Sequence, residues 1–592
     1  YKAYKNNQSM TSVNGRNNNG SRKRKSEDLL GTESAAESCP YLDTINRSIL
    51  DFDFEPSCSV SLESGPHVYG CLVCGKFFRG RGRHTPAYTH SVDEGHFVYV
   101  HLSRGTFHCL PDDYEIKDAS LADISAALHP TFAKDEILRL DTNAGLARDL
   151  FGRRYLPGFV GLNNLHKTDC VNSIVQALAH VRPLRDFFLG LTHQDVTIIP
   201  MTRKKKNKKK PQLHQLSPLV QCFGELIRKM WSDKRFKSHV DPHMLVQAVT
   251  VASNKRFRVG HQAEAGEFMA WLLHQLHIGL GGTKKSGSSI IHKIFQGQLH
   301  MTTRQKAKKQ DLGHVVEEDD RGGSDEEDTV GASEQNSGND DIDVQEETLD
   351  TNFLQLTLDI PEKPLFRDAE GGLVIPQEPL VSVLKKFDGM SFTDAVDKSG
   401  VAQKRKYSLT RLPNYLILHL ARFKTNSYSK EKNPTIVTFP VKNLDLSQYV
   451  HKENGREDFL PTEAEVRSMS VKELKSLLLK HGRSDIAKNV VEKTELVEAT
   501  LNFVTKSLPD LLSGKYNLVA NITHNSPAEV GREGQHDPLQ EGSYKCHVQH
   551  RESGQWYEMQ DLHVEETMPQ LIGLSESYLL IFEKKGTMDM DK

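Results

Sequence analysis

The tightest constraint in this 592-residue sequence is Cys71-Leu72-Val73-Cys74 followed by His90 and His96. A C-x2-C pair closes on one ion through a tight knuckle, and two downstream histidines complete a tetrahedral Cys2His2 set. Any fold that satisfies these four residues must wrap the intervening chain around a single point. The set predicts a structural zinc, because four protein ligands leave no open coordination position. The chain has eight cysteines, most of them in its first fifth. That is too few for a disulfide scaffold and points to metal ligation in a reducing compartment.

The length predicts more than one domain. A net charge of −2 excludes a global field for nucleic acid, yet the charge is strongly clustered. No apolar run is long enough to cross a bilayer, so no membrane partner is expected, and residues 1–38 carry no secretory apolar core. Those residues, rich in Asn, Ser, Gly and Lys, predict a disordered basic tail. Within them Arg22-Lys23-Arg24-Lys25 reads equally as a solvated charge run or as a nuclear localisation signal.

Residues 39–118 form the first ordered unit. Leu121, Ile124 and Leu128, then Ile137, Leu138 and Leu140, recur at helical spacing on either side of Pro130. They predict a helical bridge over 119–155 into a second domain at 156–585. Inside that domain the basic loop Arg203 to Lys210 reads equally as an RNA contact through phosphates or as a solubilising insertion. Residues 303–350 switch from basic to acidic among Gly and Ser and predict a disordered insertion. Residues 455–510 predict a helical insertion, with Ser470 as an N-cap and a second helix from Glu492. It reads as a bare helical hairpin or, by a weak resemblance, as a nucleic-acid-binding SAP motif. Alternating strands are predicted at Phe353–Ile360 and Leu412–Phe423. The class is α+β.

Gly161-Leu162-Asn163-Asn164-Leu165-His166-Lys167-Thr168-Asp169-Cys170-Val171-Asn172-Ser173 is a loop that runs into the apolar-periodic helix from Ile174. A loop that delivers a side chain to a helix N-terminus suits a nucleophile. The stretch resembles the cysteine box of the ubiquitin-specific proteases, roughly Gly-Leu-x-Asn-Leu-Gly-Asn-Thr-Cys-Tyr-Met-Asn-Ser. In that register Asp169 stands at the nucleophile position and Asn164 at the oxyanion position. Gln262–Phe268, Leu412–Phe423 and Tyr516–His524 resemble further boxes of the same family. Gly542-Ser543-Tyr544 and Trp556–Gln560 resemble its histidine box, with Ser543 at the base position and Gln560, next to Asp561, at the orienter position. A thiol protease needs a thiol, an imidazole and an orienting group, so the resemblance implies a non-catalytic domain. Cys170 offers no rescue, since one helical step turns a side chain by roughly 100°. His547 also fails, lying roughly 13 Å along a strand from Ser543.

Cys71–Cys74, Gly80-Arg81, His90, Gly95-His96 and Cys109 resemble the UBP-type zinc finger. Larger members hold up to three zincs, and here two sites are depleted. Cys58 meets Ser61 instead of a second cysteine, with Arg79 and Pro86 at the other ligand positions of that site. Cys109 and Cys39 are left beside Tyr41 and Asp112. Cys58 and Cys109 are thus secondary metal candidates. The family's pocket for a ubiquitin C-terminus would use Arg81 and Tyr69, but His108 stands where an aromatic is expected, which argues against ubiquitin as a ligand. Together these matches imply a zinc-bound UBP-type finger followed by a papain-like ubiquitin-specific protease fold with disordered and helical insertions. With Cys39–Ser48, Leu50–Phe54 and Cys109–Ile116, the pattern resembles the splicing-associated, non-catalytic branch of the family. That resemblance implies a scaffold in the nucleus, bound to spliceosomal tri-snRNP proteins and supporting tri-snRNP assembly or stability in pre-mRNA splicing. The competing expectations are a ubiquitin-binding adaptor and an active deubiquitinase with a rearranged site.

Overall fold

The computed structural model describes residues 39–586 except 143–144, 192–198, 201–212, 215, 307–343, 365, 370–372, 397–401, 426–429, 451–460, 462, 481–489, 491, 508–513 and 527–536. The basic tail and the Arg203–Lys210 loop lie outside the described residues.

Strands β1 (Val68–Cys71), β2 (Phe77–Arg79), β3 (Val98–His101), β4 (Phe107–Cys109) and β5 (Tyr114–Ile116) form an antiparallel sheet in the order β2-β1-β3-β4-β5. Helix α1 (Pro86–Glu94) links β2 to β3. Pro86 at its first turn has no N–H to leave unsatisfied, which suits that position. Val68, Leu72, Val98 and Val100 pack against Leu121, Ile124 and Leu128 of the following segment.

The bridge is helical in α2 (Ala122–Leu128) and α3 (Lys134–Arg139), but not to residue 155 as its apolar spacing predicts. Instead β6 (Ala147–Arg148) pairs with β7 (Arg154–Tyr155). The Asp149 carboxylate accepts the N–H groups of Phe151 and Arg153 at 3.0 and 2.8 Å and bends the chain into a turn.

In the second domain, α4 (Asp169–Ala179), α5 (Arg182–Leu189), α6 (Pro218–Trp231), α7 (His243–Ala252) and α8 (Ala265–Gly279) pack with an eight-stranded sheet. The order of the sheet is Leu356–Asp359, Tyr415–Ala421, Ser577–Lys584, Lys515–Asn525, Ser543–Gln549, Trp556–Gln560 and His563–Thr567, with Leu444–Asp445 beside Lys515–Asn525. Alternate residues of the central strands serve two cores. Tyr415, Ile417 and Ile581 face the helices, whereas Leu416, Leu418, Leu420 and Phe582 face a second cluster with Leu356 and Leu384. Burial on both faces replaces the half-buried alternation expected of Leu412–Phe423.

Three expectations need correction. The ends of the acidic insertion are strands, since Gly297–Lys306 pairs with Val344–Phe353. Arg304 pairs with Glu346 across those strands, and His300 Nδ1 lies 2.8 Å from the Asp350 carboxylate, so the change from basic to acidic residues marks pairing at its edges. The predicted strand Phe353–Ile360 is two strands, broken where the Gln355 side chain donates to the Gly266 carbonyl at 3.2 Å. Among the described residues the helical insertion holds a helix beyond the expected pair: Glu463–Ser468 joins Val471–Lys480 and Lys493–Asn502 around a core of Val466, Leu474, Leu478 and Leu496. No described helix is long and apolar enough to cross a membrane.

Residues 51–55 strap the first unit to the second. Lys229 Nζ donates to Asp53 Oδ1 at 2.8 Å and to the Phe52 carbonyl at 2.7 Å. The Asp53 Oδ2 atom accepts the Asp241 N–H at 3.0 Å. Asp51 pairs with Lys237, and Gln247 donates to Glu55 at 2.8 Å. Burial alone would raise the Asp53 carboxyl, but Lys229, the Asp241 N–H and Lys237 hold it below its ordinary 3.8.

Asp53→Ala leaves a largely buried lysine without its carboxylate and should cost about 3 kcal/mol in urea unfolding of the full chain. Because the folded pKa is depressed, that contribution is complete above pH 3.8 and is lost as pH falls through the folded value. An Asp53→Ala chain as stable as the parent at neutral pH would show that the strap does not hold the two units together.

Candidate functional site

Cys71 closes β1 and Cys74 follows in the turn. His90 lies on α1, which ends at Gly95 in a left-handed conformation (φ 67°) and so delivers His96. The knuckle depends on Gly75, at φ 74°, where a Cβ would lie 2.8 Å from the Ile49 carbonyl oxygen. The four ligand atoms all lie within 4.8 Å of one another. Cys74 Sγ is 3.3 Å from His90 Nε2, which is 3.1 Å from His96 Nδ1. Metal–ligand bonds of about 2.0–2.3 Å in a tetrahedron put ligand atoms roughly 3.3–3.8 Å apart, so the set fits zinc.

Cys58 and Cys109 do not join this cluster. No second group of three or more ligating side chains occurs among the described residues. The Cys58 sulfur accepts the Ser61 N–H at 3.5 Å, which shows what stands in for a partner thiol. Cys109 is buried beside Cys39 and hydrogen-bonded by Tyr114, and burial pushes its thiol up to about 11. Both are core thiols here.

Arg81, Tyr69 and His108 do come together, but they are spent on one another. Arg81 Nη1 is 2.8 Å from His108 Nδ1 and 3.2 Å from the Asp113 carboxylate. Burial, then the charge of Arg81, keep the His108 imidazole below its ordinary 6.5 and therefore neutral at pH 7. The Tyr69 ring meets His101 edge-on, with centroids 4.8 Å apart.

Asp169 opens α4 and is 4% exposed. Its Oδ2 accepts the Tyr544 N–H at 2.7 Å and the Gln262 amide at 2.7 Å. Gln540, on the short helix Pro538–Glu541, clamps Gln262 from above: it accepts the Gln262 N–H at 3.1 Å and donates to the Gln262 carbonyl at 3.0 Å. Lys167 Nζ donates to the Gln540 carbonyl at 3.0 Å. Burial pushes the Asp169 carboxyl above 3.8 against these hydrogen bonds. Cys170 is fully buried, and burial followed by Asp169 and Glu264 pushes its thiol well above 9.0. His166 and Lys167 hold left-handed φ values of 78° and 55°. Such backbone costs roughly 1–2 kcal/mol per non-glycine residue, so the loop keeps its turn at a cost that the Lys167–Gln540 contact helps offset.

Ser543 and Gln560 meet only weakly, Nε2 to Oγ at 3.4 Å. The neighbouring Asp561 carries the connections instead. Its carboxylate accepts the side-chain amides of Asn164 at 3.0 Å and Asn172 at 2.9 Å, and its carbonyl accepts the Leu162 N–H at 2.8 Å. The approach is close enough that a Cβ at Gly161 would meet the Leu562 backbone at 2.7 Å. The Asn164 amide is thus committed to Asp561, and its oxygen accepts the Thr168 N–H at 3.1 Å. His547 points to Glu558, Nε2 to Oε2 at 3.0 Å.

Sequence reasoning missed Gln540, Lys167 and the role of Asp561. Gln540 and Lys167 give no local signal, because their partners lie hundreds of residues away. Asp561 was legible only as a carboxylate beside the orienter position.

The ubiquitin carboxyl-terminal hydrolase family profile matches residues 160–582, and the profile for the Zn-finger in ubiquitin-hydrolases and other protein matches residues 58–121. Ubiquitin carboxyl-terminal hydrolase 39 of Homo sapiens is 40% identical over 547 residues, covering 92% of this chain and 80% of that protein. Probable mRNA-splicing protein ubp10 of Schizosaccharomyces pombe is 34% identical over 552 residues, covering 92% and 88% respectively. Pre-mRNA-splicing factor SAD1 of Saccharomyces cerevisiae is 28% identical over 432 residues, covering 71% and 81%. A crystal structure of an essential yeast splicing factor superposes with a TM-score of 0.58 at 22% identity, covering 92% of this chain and 99% of that one, and shows the shared fold.

Two substitutions separate the charge of Asp169 from its bonds. Asp169→Ala strands the Tyr544 N–H and the Gln262 amide in a buried site and should cost about 2 kcal/mol in chemical unfolding. Asp169→Asn keeps an acceptor and removes a buried charge, so at pH 7 it should match the parent or exceed it. The folded pKa of Asp169 is raised, so its contribution falls as pH rises from 3.8 through the folded value. The asparagine variant should therefore gain on the parent over that interval. An alanine variant as stable as the parent would remove the carboxylate's structural role.

Proposed function

The chain belongs to the ubiquitin carboxyl-terminal hydrolase family, in the branch of hydrolase 39, ubp10 and SAD1, and from that premise we propose that it acts in the nucleus as a non-catalytic scaffold of the spliceosomal tri-snRNP in pre-mRNA splicing. The observation that carries this reading is the Asp169 carboxylate, buried and doubly hydrogen-bonded, at the position that the resemblance assigns to the family's nucleophile. A carboxylate attacking an acyl group would give an anhydride, and among the described residues the side-chain and main-chain donors to Asp169 are Gln262 and Tyr544, neither of them an imidazole. Ser543 and Gln560 cannot take a proton as a base. Asn164, at the oxyanion position, already donates to Asp561, so its amide is not poised for a developing charge. The splicing part of the reading rests on the names borne by the two yeast relatives.

Cys71, Cys74, His90 and His96 would hold one zinc, which supplies a cross-link for a finger of small core. Four protein ligands fill its coordination, so the role is structural. The engagement of Arg81 with His108 and Asp113 supports a finger that does not grip a ubiquitin C-terminus.

The test uses the full chain. Tagged protein recovered from nuclear extract should bring down the small RNAs of the tri-snRNP, and a ubiquitin-derived C-terminal electrophile should leave it unlabelled. Labelling at Cys170, or recovery without spliceosomal RNA, would overturn the scaffold reading. Elemental analysis should find one zinc per chain, lost in Cys74→Ala with unfolding of the finger; a zinc-free parent chain would refute the ligand assignment.

A further inference from the structure

The eight-stranded sheet ends at His563–Thr567, which pairs with Trp556–Gln560 on one side. Among the described residues its backbone makes no other backbone–backbone hydrogen bond. An open strand edge is a template for a further strand, and proteins commonly blunt it with charge or short length. This edge has the charge, but it also has apolar surface that protection does not require. Leu562 at its start is 50% exposed, and Met568, Leu571 and Leu574 beyond its end are 67%, 58% and 55% exposed. The last three recur every third residue across the short helix Pro569–Gly573 and share one face, while Ile572 turns into the core.

The charge of the strand is one-sided. Glu565 and Glu566 are exposed neighbours, so they project to opposite faces of the sheet. Glu565 lies across from Glu558, whose carboxylate is already taken by Lys545 and His547. Among the described residues neither Glu565 nor Glu566 has a cationic partner, and Glu566 is engaged only by the Tyr557 hydroxyl, which leaves its charge in place. A second copy of this strand would bring like charges together, which disfavours self-pairing, and a phosphate backbone would be repelled. The start of the strand is also held in place, since the Leu162 N–H donates to the Asp561 carbonyl at 2.8 Å and Gly161 packs on Leu562. A preformed edge loses little freedom when it binds.

We propose that His563–Thr567 accepts an extended, basic segment of a partner protein as an added strand. Adjacent lysine or arginine residues of that segment meet Glu565 and Glu566 on the two faces, and an apolar residue beside them seats on Met568, Leu571 and Leu574. Main-chain hydrogen bonds would supply affinity, and the two acidic positions with the apolar seat would supply selectivity. This surface lies outside the Asp169 site and does not depend on the scaffold reading.

The probe is a fluorescein-labelled synthetic peptide, Leu-Thr-Val-Lys-Arg-Val-Lys, titrated into the full chain and followed by anisotropy. Binding is expected, weakening as salt rises. It should fall by about tenfold when Glu565→Lys and Glu566→Lys are combined, and by about fivefold for Leu571→Ser with Leu574→Ser, with circular dichroism unchanged in both. Hydrogen exchange should slow at the backbone of His563–Thr567 on adding the peptide. A peptide with both valines replaced by proline keeps the charge but cannot form the ladder, and it should not bind. Equal binding of the proline peptide, no effect of the charge reversal, or no binding at low salt would each overturn the proposal, as would a dimer that dissociates on the same charge reversal.

Discussion

A carboxylate at the start of α4 holds the centre of the second domain together. Through one oxygen, Asp169 joins the first turn of the core helix to the Tyr544 backbone on the sheet and to the Gln262 side chain before α8. Helix, sheet and loop therefore meet at a single buried acceptor. Removing water from an anion is costly, and the upward push on its pKa records that cost. The hydrogen bonds to Tyr544 and Gln262 are what make the burial tolerable. The carboxylate is thereby committed to holding three segments in register.

That commitment extends outward. Asp561 ties Asn164, Asn172 and the Leu162 backbone to the far strand. Asn163 donates to Asp241 at 3.0 Å, and the Asp241 N–H in turn donates to Asp53 of the strap. A continuous run of hydrogen bonds thus links the loop before α4 to the finger. The Gln540 clamp over Gln262 closes the opposite side. The finger and the hydrolase-like domain are thus joined by side-chain hydrogen bonds as well as by the chain between them.

Much of this was legible in the sequence. Spacing alone placed Cys71, Cys74, His90 and His96 together, because a metal tolerates few separations. Apolar periodicity gave α4, and alternation located the strand Tyr415–Ala421 but not its burial on both faces. Charge misled at residues 303–306 and 344–350, the two ends of the expected disordered insertion, which are paired with each other across a long gap. The turn after α3 was hidden because one aspartate side chain, not the apolar pattern, sets it. The Gln540 clamp on Gln262 was the least legible part. Gln540 and Lys167 act through main-chain groups 278 and 373 residues distant in sequence, and no local pattern announces such contacts.

The central claim is the proposal that the loop before α4 is locked by its own hydrogen bonds, whatever side chains stand at positions 169, 543 and 560. Rebuilding the residues tests it directly: Asp169→Cys, Ser543→His and Gln560→Asn in one chain, assayed for hydrolysis of a ubiquitin C-terminal fluorogenic substrate. A positioned base alone contributes about 100- to 10,000-fold, so even an imperfect triad in an open cleft would register. The account predicts no hydrolysis above background and a lower unfolding midpoint, because the Gln540 clamp stays in place while the acceptor for Tyr544 and Gln262 is gone. Robust turnover by the rebuilt chain would contradict it and show that only the side chains had been lost.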